Sequence, residues 1–218
     1  MKNFRFTTSA AMLALVFSFS ALAQSGPKTG KQPSYNYAAQ KSFLPPDLGQ
    51  VYLGMPLSAF ASKIDISKAE ADDRFDFLQL EVPFERGNIH GLTIRVHGLE
   101  REQMDAMLAT ETETRKNSDG TEYQVEMKRP RVSSIKGGVV YSMYIAFKPG
   151  YDLRYWAQKA YGKGDIRAKD DPYHIYDQQW VKRTGDGLGW LIRAFYGEKG
   201  GSLQLLGRVP GSEWDPGA

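Results

Sequence analysis

Between Val139 and Lys148 the chain is apolar at nearly every position. Val139, Tyr141, Met143, Ile145 and Phe147 form one alternating set, and Val140, Ser142, Tyr144 and Ala146 the other. A period of two with β-branched and aromatic residues on both faces predicts a strand in the interior of a sheet. Lys148-Pro149-Gly150-Tyr151 interrupts it, because proline lacks the ladder N–H and glycine permits a tight reversal. Asp152 is then a helix N-cap, and Leu153, Trp156, Ala157, Ala160 and Tyr161 recur at the spacing of one helical face. Lys159 in the last turn and Gly162 just beyond it close that helix.

The same reading organises the rest of the chain. Leu57, Phe60, Ala61 and Ile64 predict a short helix within Leu48–Ile64. Leu78, Leu80, Val82 and Phe84 share one face of a strand spanning Phe75–Phe84. After a Gly87-Asn88 turn, Leu92, Ile94 and Val96 alternate with Thr93, Arg95 and His97 in the next strand. Leu99–Ala109 reads as helix, with Met104, Met107 and Leu108 as its stripe and Glu100 and Glu102 in its first turn; Asn117–Gly120 ends that section. Tyr123, Val125 and Met127 alternate with Glu122, Gln124, Glu126 and Lys128 in a half-exposed strand. Three strands follow the helix at Asp152. They are Tyr173–Lys182, Leu188–Tyr196 and one carrying Leu203, Leu205 and Val209, joined by glycine-bearing loops of the hairpin type. The class implied is α+β, a mostly antiparallel sheet with two or three short helices packed on one face.

Leu53-Gly54-Met55-Pro56-Leu57, opening a short helix ahead of strands, resembles the Leu-Gly-Met-Ser/Thr start of a group of small exported modules. These are the β-lactamase-inhibitor-protein-like and outer-membrane-assembly-lipoprotein-E-like proteins. Here Pro56 stands where the group's capping Ser or Thr would be, and the lipoprotein cysteine is missing. The resemblance implies helices laid against an antiparallel sheet, and action by binding other proteins. No binding residue carries over from it.

The ends set the compartment expected. Lys2 and Arg5, an apolar run from Ala10 to Ala21, and Ala21-Leu22-Ala23 before Gln24 make residues 1–23 a secretory signal. No later apolar run is long enough to span a membrane, so the expected location is the periplasm, with full secretion as the alternative. Residues 24–46, rich in Gly, Pro and polar residues, read as a flexible leader. Residues 47–210 read as a single domain and 211–218 as a C-terminal tail. The chain has no cysteine, which excludes disulfides, thiolate metal sites and cysteine nucleophiles. Without Lys2 and Arg5 there remain 26 basic against 25 acidic residues, a net charge of +1 that argues for no nucleic-acid partner.

Candidate chemistry is sparse. His90, His97 and His174 have no metal-ligand spacing. Asp165, Asp170, Asp171 and Asp177 cluster, but Arg167 and Lys169 lie among them in a pattern unlike a calcium loop. There is no Gly-x-Ser-x-Gly nucleophile elbow, and Gly185–Gly189 lacks the helix and Lys-Ser/Thr pair of a phosphate cradle. Neither a cofactor nor a metal is expected. The C-terminal strands are rich in aromatics, and one layer of helices does not easily bury both of their faces. Tyr176, Trp180, Arg193 and Phe195, of residue types favoured at binding hot spots, are therefore the candidate contact residues for another envelope protein. The function expected is a non-catalytic inhibitor, immunity or envelope-assembly module. A wall hydrolase using paired carboxylates and a small-ligand carrier are the competing classes.

Overall fold

The computed structural model describes residues 43–75, 77–166, 176–184, 187–197, 200–209 and 211–212. All lie in one compact unit that spans Ser34–Ala218. The expected signal, most of the leader, His174, Asp170 and Asp171 fall outside the described residues.

In chain order the elements are β1 (Met55–Pro56), α1 (Leu57–Ala61), β2 (Glu70–Asp72), β3 (Leu78–Val82) and β4 (Ile89–His97). Then come α2 (Arg101–Met107), β5 (Leu108–Lys116), β6 (Glu122–Pro130), β7 (Val139–Phe147) and α3 (Leu153–Tyr161). The last are β8 (Asp165–Ile166), β9 (Gln178–Thr184), β10 (Gly187–Phe195) and β11 (Ser202–Gly207). The strands form a single sheet in the order β5-β6-β2-β3-β4-β7-β11-β10-β9-β8, with β1 paired separately to β7. Every pairing is antiparallel. The chain is α+β with the sheet dominant.

The apolar alternation places β7 in the interior, between β4 and β11, as its two-sided pattern predicts. Register then builds a continuous apolar row across six strands. Leu80, Ile94, Met143, Leu205, Ile192 and Trp180 are successive cross-strand partners on β3, β4, β7, β11, β10 and β9. All six are buried in the main core. Leu57 and Phe60 of α1, Met104 and Met107 of α2, and Leu153, Ala157 and Tyr161 of α3 belong to the same cluster.

Both ends of α3 carry the signals the sequence supplies. Asp152 Oδ1 accepts from the Tyr155 N–H at 2.9 Å, the cap expected of it. At the other end Gly162 has φ +79°, the left-handed conformation that glycine adopts without strain. Glu100 and Gln103 make a reciprocal capping box on α2. The stripe of α3 is narrower than predicted: Ala160 is exposed, and Trp156 is half-buried, edge-on to Tyr161 at 5.4 Å. The first helix is shorter than its pattern, because Ile64 is buried in a turn after Ala61.

Three further expectations change. Leu108 and Ala109, expected to end a helix, instead open the strand Leu108–Lys116, which pairs with β6 over nine residues to form a long ribbon. Ala-Thr-Glu-Thr-Glu-Thr-Arg alternates, but neither face of that alternation is apolar, so the burial signal is silent. Packing begins inside the expected leader. Phe43 lies edge-on to Trp190 at 5.3 Å, its carbonyl accepts from the Tyr161 hydroxyl at 2.6 Å, and Leu44 is buried. At the other end Ser212, assigned to the tail, is buried and donates to the Val209 carbonyl.

A candidate docking face

Side chains alternate across a strand, so each residue next to the apolar row points away from the core. Those neighbours make a second row, and it is polar. Glu70, Glu81, Thr93, Tyr144, Gln204, Arg193, Gln179 and Asp165 are successive cross-strand partners from β2 to β8. Tyr144 is 41% exposed at its centre. Ser202 Oγ donates to the Tyr144 hydroxyl at 2.6 Å, and Phe195 lies 6.2 Å from the Tyr144 ring.

The four sequence candidates do not share one surface. Trp180 is a core residue, only 3% exposed, whose indole Nε1 donates to the Gly162 carbonyl at 2.9 Å at the end of α3. Its partner on β10 is Ile192, whereas Arg193 belongs to the opposite face; a one-residue offset in register decides the side. Tyr176 is also buried, but it precedes β9, so its even spacing from Trp180 does not place the two rings together. Its ring lies beneath the Arg193 guanidinium at 5.4 Å. Arg193 Nε donates to Gln179 Oε1 at 3.1 Å, and Arg193 and Phe195 remain half-exposed. Of the four, only these two reach solvent on the polar face. Near them that face is partly closed: Leu191 and Leu206 are buried although they lie outside the main core.

The open part lies on the other side of β7. There the β5–β6 ribbon leaves the sheet, touching β2 through a single register pair, Ala71 with Lys128. Beneath it is a cleft of about 590 Å³, floored by Gly91, Thr93, Tyr144 and Ala146 and walled by Arg115 and Arg129 of the ribbon. An adjoining cleft of about 520 Å³ runs between Gln79 on β3 and Glu126 and Lys128 on β6. Glu70 and Glu81 line both. The ribbon is held by charge. Arg129 Nη2 meets Glu113 at 2.9 Å and its Nε meets Glu111 at 3.2 Å, while its Nη1 donates to the Lys68 carbonyl. Arg115 Nη2 meets Glu70 at 3.0 Å. At the ribbon's base Asp73, 4% exposed, receives Lys128 Nζ at 2.6 Å and Arg101 Nη2 at 3.2 Å, joining β6, α2 and the loop after β2.

The ionisable groups are tuned as structural partners. The Arg74 guanidinium donates two hydrogen bonds to Asp72 and lowers its carboxyl to about 2. Hydrogen bonds likewise lower Asp65, Glu85 and Asp119. Burial pushes the Tyr196 phenol up to about 12, and raises that of Tyr161 further. Asp177 Oδ2 accepts from the Tyr196 N–H at 2.6 Å, so this member of the acidic cluster ties the start of β9 to the end of β10. His90 is exposed at the rim of the larger cleft; His97 is half-buried, edge-on to Tyr141 at 6.3 Å. Among the described residues no group of three or more His, Asp or Glu is placed to hold a metal, and no helix is long and apolar enough to cross a membrane. Arg115, Arg129, Glu70, Glu81 and Tyr144 were not candidates from sequence. The Thr-Glu alternation of β5 was the available signal for the ribbon, and nothing local marks Glu70 or Glu81 as neighbours.

The chain matches no family model, no curated protein and no solved structure.

Proposed function

We propose that the chain is an exported, periplasmic protein-binding module, acting without catalysis as an inhibitor, immunity or envelope-assembly accessory. Its contact surface is the polar face of the sheet under the β5–β6 ribbon. The observation that carries this reading is the cleft between Tyr144 and Arg115, a trough of about 590 Å³ on the face opposite the core whose lining mixes apolar residues such as Val82 and Pro83 with charged ones. Tyr144 meets Arg115 and Arg129 there, and aromatic residues and arginine are the types enriched at protein contact surfaces. The resemblance of Leu53–Leu57 to small exported binding modules supports the same class, and the signal-like residues 1–23 support the compartment. Arg193 and Phe195 extend the surface past β7, while Tyr176 supports Arg193 from beneath.

The two competing classes ask for other arrangements. A carboxylate hydrolase needs an acid held protonated at neutral pH; of the carboxyls that line the two clefts, Asp72 is shifted down by its bond to Arg74. A carrier of apolar ligands needs an enclosed apolar cavity, whereas both clefts carry charged residues in their walls.

The test is site-specific photo-cross-linking in living cells, with the reactive side chain placed at Tyr144 or, for comparison, at exposed Tyr155 on α3. A discrete adduct from position 144 and none from 155 is expected. Adducts only from position 155, or none from either alongside turnover of wall polymer by the pure protein, would end the proposal.

A further inference from the structure

Resting on that docking reading, we infer that the trough receives an extended segment of the partner that sets a lysine or arginine side chain against Glu81. The argument is an account of charges. Glu70 and Glu81 are direct cross-strand partners on β2 and β3, and like charges in that position repel. Glu70 is answered by Arg115 at 3.0 Å. Of the other cations along the two clefts, Arg129 pairs with Glu111 and Glu113, Arg74 with Asp72, and Lys128 with Asp73. Lys68, which lines the larger cleft, makes no ion pair among the described residues. Glu81 and Glu126 are left, both exposed, with neither an ion pair nor a hydrogen bond among the described residues. The two clefts together therefore hold one unpaired cation, Lys68, against two unpaired carboxylates, Glu81 and Glu126, the first of which faces a like charge across the strands. A cation from outside relieves that repulsion; an anion adds to it.

The shape selects an extended occupant. From Tyr144 through Thr93 and Glu81 to Glu70 the row crosses three strand spacings, about 14 Å, the length of about four extended residues. Gly91 and Ala146 face each other beside Tyr144, and a Cβ built on Gly91 would come within 3.5 Å of the Ala146 methyl. Such small side chains give the trough its depth at that end and suit an apolar group. Two strand spacings separate Tyr144 from Glu81, so the complementary segment carries its basic residue two or four positions from an apolar one, the even spacings that turn both side chains into the trough.

Selection of a random short-peptide display library on the immobilised full chain tests this, run in parallel on Glu81→Gln, Tyr144→Ala and Glu85→Gln. Glu85 pairs with Lys148 outside the trough and serves as the control. Circular dichroism confirms that each variant is folded. The expected result is enrichment of Lys or Arg near an apolar residue among wild-type and Glu85→Gln binders. A representative peptide should bind Glu81→Gln about fivefold more weakly, the scale of one partly exposed ion pair, and should weaken further with added salt. Binders that depend on Tyr144 but show no basic enrichment and ignore Glu81→Gln would overturn the charge inference and leave the trough as the docking site. Recovery of no binder sensitive to Tyr144→Ala would overturn both.

Discussion

Replacing Trp180 separates the core from the docking face, because the sequence puts that residue on one and the fold on the other. The side chain is 3% exposed, lies 5.3 Å from the Tyr161 ring, and donates to the Gly162 carbonyl at 2.9 Å. Trp180→Ala removes the ring and leaves a carbonyl at the end of α3 without its donor. Large-to-small changes of this kind cost about 3–5 kcal/mol, a large fraction of the total stability of a domain of this size. Trp180→Phe keeps most of the apolar contact. It loses one hydrogen bond, about 1 kcal/mol, and part of the ring, about 1 kcal/mol more, for a loss of about 2 kcal/mol. Urea unfolding followed by circular dichroism reads both, with the midpoint shifting at constant slope. A Trp180→Ala loss below about 1 kcal/mol, together with disappearance of the cross-link from position 144, would refute the assignment of faces. Trp180 would then belong to the contact surface.

Four other outcomes follow from the geometry. Asp73→Ala breaks contacts to Lys128 and Arg101; since both cations retain access to water, the expected cost is about 2 kcal/mol in urea unfolding, with raised hydrogen exchange in β6. Asp72 has a depressed pKa, so its contribution is present above the ordinary carboxylate range and is lost as pH falls from about 4 towards about 2. Asp72→Asn is therefore expected to flatten the acid limb of the stability profile in that window. Ultraviolet titration is expected to show a phenol ionising near pH 12 that Tyr196→Phe removes. Gly138→Ala is expected to cost about 2 kcal/mol or more, because φ is +77° and the new methyl would meet Val96 Cγ1 at 2.8 Å.

Much of the framework was legible because it is encoded by local burial. β7 and α3 are patterned by their own side chains, and both lie where the pattern puts them apart from the outward Ala160. The meander of β9, β10 and β11 was legible from its glycine loops. The ribbon was not, because Thr110 to Thr114 expose both faces and are held by ion pairs with residues such as Arg129 that lie elsewhere in the sequence. The candidate site suffered most. Tyr176, Trp180, Arg193 and Phe195 were grouped by composition, but membership of a face depends on register between strands. The pairing of Ile192 with Trp180 and of Arg193 with Gln179 is fixed by long-range packing and is not written in either strand alone.

The place of β11 has a consequence for biogenesis. This strand comes late in the chain yet lies between β7 and β10, with a full ladder on each side. A polypeptide cut short before Ser202 thus loses a middle plank, and the two exposed ladders it leaves behind invite pairing with any other strand nearby. Nascent or nicked molecules should be far more prone to self-association than the finished protein, and tagging or trimming experiments need to respect that boundary.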